Sequence, residues 1–134
     1  LKQAKTFGVN FPMFGADAWD YTRVWKELDP AGEGAFYTVV GTNSTDDFKA
    51  KMKEKVGTDE IIYCSNYAYD GVKILAEVMK KVGTSGEAIK NELYNVEYKN
   101  GVSSKEIKFD KNGDPTDASY IIKVVKGGKA EEQK

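Results

Sequence analysis

Apolar side chains recur along this chain at two periods, and the period changes where the elements change. From Asp20 to Leu28, the residues Tyr21, Val24, Trp25 and Leu28 fall at i, i+3, i+4 and i+7, one face of a helix that ends before Pro30. Ser44 to Val56 predicts another helix, with Ser44 and Asp47 in capping-box spacing and Phe48, Met52 and Val56 as its inward stripe. Asn66 to Val82 is the longest helical segment. Its charges, Asp70, Lys73, Glu77, Lys80 and Lys81, form one narrow stripe laced by opposite-charge pairs. The rest of its circumference is apolar or small, so the pattern predicts a helix covered on most sides. Thr84 to Glu87 repeats the capping box before a helix with Ile89, Leu93 and Val96 inward.

Strands are marked by short apolar runs and by alternation. Met13 to Gly15 reads as a buried strand, and Ala35 to Val40 as a central parallel strand. Ile107 and Phe109 alternate with Lys108, Asp110 to Asp114 forms a turn, and Tyr120 to Lys126 is a last strand rich in isoleucine and valine. Leu1 to Phe7 is helix-like and closes at Gly8, while Gly127 to Lys134 is a charged tail expected to fray. The order is helix, strand, helix, strand, three helices and a strand pair, which is an α/β pattern.

Composition narrows the chemistry more than the fold. A chain of 134 residues can bury about two thirds of its unfolded surface. With 40% apolar and 31% charged residues it is neither disordered nor fibrous. No apolar run approaches the ~20 residues of a membrane span. A net charge of −1 supplies no field to hold nucleic acid. There is no histidine, which removes histidine metal sites and Ser-His or Cys-His catalysis together. Cys64 stands alone and reads as a small buried hydrophobe; Arg23 is the only guanidinium. Carboxylates, lysines, hydroxyls and aromatics remain, an inventory that suits binding better than bond breaking, with no cofactor or metal implied. Leu1 to Lys5 reads as a helix already under way, so the chain is expected to be a piece of something longer.

The most informative stretch is Phe14-Gly15-Ala16-Asp17-Ala18-Trp19-Asp20. A buried strand ends at Gly15, and ligands of open α/β sheets sit just past the carboxyl ends of strands. Small neighbours, Ala16 among them, let a ligand approach the Asp17 carboxylate, and Trp19 offers a wall, an arrangement suited to an ammonium group. The competing reading is that Asp17 or Asp20 only caps the next helix. Asp110 to Asp114 has oxygens at calcium-loop positions, but Pro115 stands where the loop needs glycine and Ile121 where it needs glutamate, so a hairpin turn is expected. Asn43-Ser44-Thr45 matches the glycosylation pattern by three residues only. Tyr63, Tyr67 and Tyr69 crowd the start of the long helix as core rings or as the wall of a cleft.

Three segments in order, Phe14 to Asp20, then Tyr69-Asp70-Gly71-Val72-Lys73-Ile74-Leu75-Ala76-Glu77, then Phe109-Asp110-Lys111-Asn112-Gly113-Asp114-Pro115, carry a resemblance. The chain resembles the C-terminal part of the periplasmic substrate-binding proteins of branched-chain amino acid ABC transporters. That resemblance implies an α/β chain, part of a type I periplasmic-binding fold, with Rossmann-like lobes of parallel sheet flanked by helices. It implies that residues 1–40 belong to the second lobe, 41–110 to the first, and 111–134 to the last hinge crossing and the tail. It further implies a non-enzymatic, extracytoplasmic protein that captures an amino acid in an interlobe cleft for delivery to a membrane permease. By position Asp17 matches the acid that holds the ligand's α-ammonium, with Trp19 and Ala16 beside it. The ligand-carboxylate contacts are expected in the part not present, so the chain alone is expected to bind weakly or not at all and to be able to pair with a second copy. The alternatives are a sensory amino-acid-binding domain of the same fold and a free-standing enzyme using Asp17 with a lysine.

Overall fold

The computed structural model describes residues 1–20, 22–41, 44–61 and 64–133. They form two compact units, one made of residues 1–41 and 119–134 and the other of residues 42–118.

In the first unit, helix α1 (Lys2–Thr6) precedes strand β1 (Phe14–Gly15), a 3-10 turn (Asp17–Trp19), helix α2 (Thr22–Leu28) and strand β2 (Phe36–Val40). After residue 118 the chain returns as β5 (Tyr120–Lys126) and β6 (Lys129–Glu132). The sheet order is β1-β2-β5-β6, with β1 parallel to β2 and the other two pairs antiparallel. The predicted central strand therefore has a parallel neighbour on one side only. The tail expected to fray pairs instead: Lys123 to Lys126 match Glu132 to Lys129 across a Gly127-Gly128 turn. Its charges are those of an edge strand, which discourage further pairing rather than pairing itself.

Period-two alternation splits this sheet into two faces. Ala35, Tyr37, Val39 and Val125 point to one face and are buried with Trp25 of α2, flanked by Leu1, Met13, Trp19, Leu28, Ile121 and Ala130. The opposite face carries the register-matched rows Phe14–Phe36–Val124, Thr38–Ile122 and Val40–Tyr120. It is apolar but open, with Phe14 60% and Tyr120 70% exposed. Val24, placed inward by the helical pattern, is exposed, and Tyr21 lies outside the described residues.

The second unit contains α3 (Asp46–Val56), α4 (Ser65–Val82), α5 (Gly86–Leu93) and the two-residue strands β3 (Tyr98–Lys99) and β4 (Glu106–Ile107), which pair antiparallel. Helix α3 begins one residue later than the predicted box. Thr45 caps it, its hydroxyl accepting the Phe48 amide, a bond Ser44 stands one residue too early to make. Helix α5 likewise starts after Ser85, whose carbonyl rather than a side chain receives the Ile89 amide. Ile107 pairs with Tyr98 and not with the last strand, and the Asp110–Asp114 turn closes only a Phe109–Pro115 bridge.

Two expectations about α4 are corrected. Asp70 is not on an exposed stripe: it is 1% exposed, and the buried face of α4 is Asn66, Asp70, Ile74 and Val78. The Asp70 carboxylate accepts the Val102 amide at 3.0 Å, the Ser103 amide at 2.8 Å and the Ser103 hydroxyl at 2.6 Å, so a buried charge is repaid by three donors. Gly101 is required there, because a Cβ at that position would stand 2.8 Å from Asp70 Oδ2 and from the Ser104 carbonyl. Conversely, Val72, Leu75 and Met79, placed on a covered side, are exposed. Cys64 is also exposed, because it caps α4 in a left-handed conformation at φ 58° instead of entering the core.

Candidate functional site

The segment from Gly15 to Asp20 leaves the C-terminal end of β1 and folds back over the sheet. Gly15, Tyr37 and Lys123 form one row across β1, β2 and β5, all on the helix-covered face. Each is met by a group from the loop. The Trp19 indole lies on Gly15, where an added Cβ would overlap its six-membered ring. Asp20 Oδ1 accepts the Tyr37 hydroxyl at 2.8 Å and the Lys123 ammonium at 2.7 Å.

Aromatic packing holds the same loop. Trp19 meets Trp25 edge-on at 5.6 Å and Tyr37 at 6.5 Å, while Trp25 stacks on Tyr37 at 5.7 Å. The Trp25 indole N–H donates to the Trp19 carbonyl at 2.9 Å. Burial, and the Asp20 carboxylate to which it donates, push the Tyr37 hydroxyl far above the ordinary phenol range.

The sequence-predicted residues occupy the crest of this loop. Ala16 is exposed and its carbonyl accepts the Trp19 amide, closing the 3-10 turn. Asp17 is half-buried at the start of that turn, with Oδ1 accepting the Ala18 amide at 2.8 Å. Asp20 closes the turn by donating its amide to the Asp17 carbonyl. Asp17 therefore stabilises its own turn. Trp19 is half-buried within the aromatic cluster.

An apolar cavity of about 430 Å³ opens beside the loop, walled by Leu1, Ala18, Trp19, Val24, Trp25 and Leu28. In the second unit a smaller space of about 200 Å³, lined by Glu77, Lys81, Glu92 and Tyr98, lies where α4 faces α5. Tyr67 and Tyr69 are half-buried in that unit, and the Tyr69 ring packs on Phe48 at 5.2 Å; Tyr63 and Asn43 lie outside the described residues. The Asp110 loop is a turn: its Oδ1 accepts both the Asn112 and Asp114 amides, and its Oδ2 meets the Asn112 side-chain amide. Among the described residues no group of three potential metal-ligating side chains converges, and no helix is long and apolar enough to cross a membrane.

The member of this constellation that sequence reasoning missed is Lys123, which grips Asp20. Its signal was a single lysine between Ile121-Ile122 and Val124-Val125, a charge that a half-covered strand can hold only against a partner.

Comparison with known families places the chain. The model of the periplasmic binding protein family matches residues 1–129. The chain belongs to that family. Solved structures share its fold along almost the whole chain. A leucine-binding protein, LivK, from Thermotoga maritima is 24% identical with a TM-score of 0.78, the match covering 98% of this chain and 39% of that one. An extracellular ligand-binding receptor from Rhodopseudomonas palustris is 17% identical with a TM-score of 0.75, covering 98% and 43%. An ABC transporter substrate-binding protein from Desulfitobacterium hafniense, solved in complex with Leu, is 20% identical with a TM-score of 0.64, covering 98% and 38%. The chain thus spans about two fifths of the length of these structures. Comparison with curated proteins returns no match.

Proposed function

We propose that this chain is part of a solute-binding protein that captures an amino acid, branched-chain or related, outside the cytoplasmic membrane and delivers it to the permease of an ABC transporter. The reading is carried by one observation: the family match runs through a loop that projects Asp17 just past the end of a sheet strand. Open α/β sheets bind ligands at that position, and a carboxylate there is the natural counterpart of an α-ammonium group. In this reading residues 1–40 come from the second lobe, 41–110 from the first, and 111–134 form the last crossing and the tail. Trp19 and Ala16 flank the ammonium subsite, and the protein performs no chemistry on its ligand. The neighbour solved with Leu supports the ligand class.

The test is calorimetry of the complete gene product against a panel of amino acids. At least one aliphatic amino acid is expected to bind. Asp17→Ala is expected to weaken that binding by more than about tenfold, the loss of one charge-assisted contact. Unchanged affinity in the variant would remove Asp17 from the site.

A further inference from the structure

We infer that Lys123 is a positioning residue for ligand recognition, acting through Asp20 to fix where the Asp17 carboxylate stands. The inference rests on the proposed role of Asp17 and extends the site to a strand 103 positions away in sequence from Asp20.

Asp17 and Asp20 are the two ends of one hydrogen-bonded turn. The Trp19 amide bonds the Ala16 carbonyl and the Asp20 amide bonds the Asp17 carbonyl, both at 2.9 Å. The Ala18 amide holds Asp17 Oδ1. A unit this short moves as one body, so the groups that grip Asp20 also set Asp17. Its anchors include Trp19 on Gly15, the Trp25 indole N–H on the Trp19 carbonyl, and the Asp20 carboxylate held by Tyr37 and Lys123.

Stability alone does not account for this pair. The Lys123 and Asp20 side chains are 17% and 7% exposed, so both charges have lost most of their water. An apolar pair of similar volume would join β5 to the loop without that desolvation. What the ion pair adds is direction. The Lys123 ammonium and the Tyr37 hydroxyl converge on one oxygen of Asp20 and thereby fix the rotation of its carboxylate, which packed methyl groups would not do. Tyr37 is itself held between Trp25 and Trp19, so its hydroxyl is a fixed reference.

Two measurements test this. In the 15N-labelled chain, Lys123→Met is expected to shift the Ala18 amide resonance, which reports the Asp17 carboxylate, while the amides of Val24 to Leu28 stay in place. Lys123→Arg, which keeps the charge, is expected to return Ala18 toward its original position. Tyr37→Phe, which removes one of the two grips and leaves the core filled, is expected to shift it less than Lys123→Met. An Ala18 resonance unmoved in Lys123→Met overturns the inference, whether or not Tyr37→Phe moves it. In the complete gene product, with L-leucine as the probe, Lys123→Met is expected to weaken binding about tenfold, the scale of one charge-assisted contact. The same substitution in an Asp17→Ala background is expected to add less than about twofold, as required of a residue acting through Asp17. An equal loss in both backgrounds overturns positioning in favour of plain structural support. If Asp17→Ala alone leaves L-leucine binding intact, the proposed function fails, and the Ala18 resonance still decides whether Lys123 sets the loop.

Discussion

Replacing Gly15 by alanine tests whether the loop after β1 is seated by its own tryptophan. The added methyl would overlap the six-membered ring of Trp19, which is wedged against Trp25 and Tyr37 and cannot yield by a small rotation. Two responses are open to the chain. If Trp19 stays, the overlap costs about 1–3 kcal/mol of overpacking strain. If it swings out, two edge-on ring contacts of about 0.5–1.5 kcal/mol each are lost, a similar total. The cheaper route sets the result, so the expected destabilisation is about 1–3 kcal/mol either way. Urea unfolding followed by tryptophan fluorescence measures it, since Trp19 and Trp25, the only two tryptophans, both lie in this cluster. Trp19→Leu removes the obstacle, so Gly15→Ala in that background should cost less than about 0.5 kcal/mol, a non-additivity that identifies the contact. A Gly15→Ala chain as stable as the original, or one equally destabilised in both backgrounds, would refute the reasoning.

Three further outcomes are expected. Asp70→Ala leaves the buried amide and hydroxyl of Ser103 and the half-buried amide of Val102 without their acceptor, and should lower the stability of the second unit by about 3–5 kcal/mol in chemical denaturation. Asp110 is held below the ordinary aspartate range, first by the Asp114 amide and then by that of Asn112. A carboxylate lowered on folding lends its stabilisation above its unfolded pKa of about 4 and loses it as pH falls through the folded value. The Asn112 and Asp114 amide resonances should therefore titrate together with a midpoint below that of a free aspartate, and a midpoint at or above it would contradict the turn. Cys64, exposed at the start of α4, should react with a thiol reagent in the folded chain at close to its rate in denaturant; strong protection would return it to the interior.

Local rules made much of this fold readable. The three longer helices and the strands at Phe36–Val40 and Tyr120–Lys126 stand where periodicity put them, because a stripe of apolar residues needs no knowledge of its partner. What escaped were residues whose state is decided from outside their own element. Asp70 reads as surface because its own helix supplies lysines at suitable spacing, and its burial depends on the amides of residues 102 and 103 and the Ser103 hydroxyl. Lys129 to Glu132 read as a tail because charged residues mark an edge strand and a frayed end alike. The site divides in the same way. Gly15, Asp17 and Trp19 are visible in one short stretch, whereas the grip on Asp20 comes from two strands, one of them more than a hundred positions on.

The first unit is written in two instalments, residues 1–41 and 119–134, with the second unit spelled out between them. During synthesis β1 and β2 emerge long before β5, so the edge of β2 that β5 takes is first left unanswered. The second unit is continuous and can consolidate while that edge waits. Only when β5 arrives do Tyr37 and Val39 acquire the neighbours that bury them, and only then does Lys123 reach Asp20. The loop that carries Asp17 is thus completed by residues made about a hundred positions after it. An unfinished chain, whatever else of it has folded, carries no finished copy of that loop.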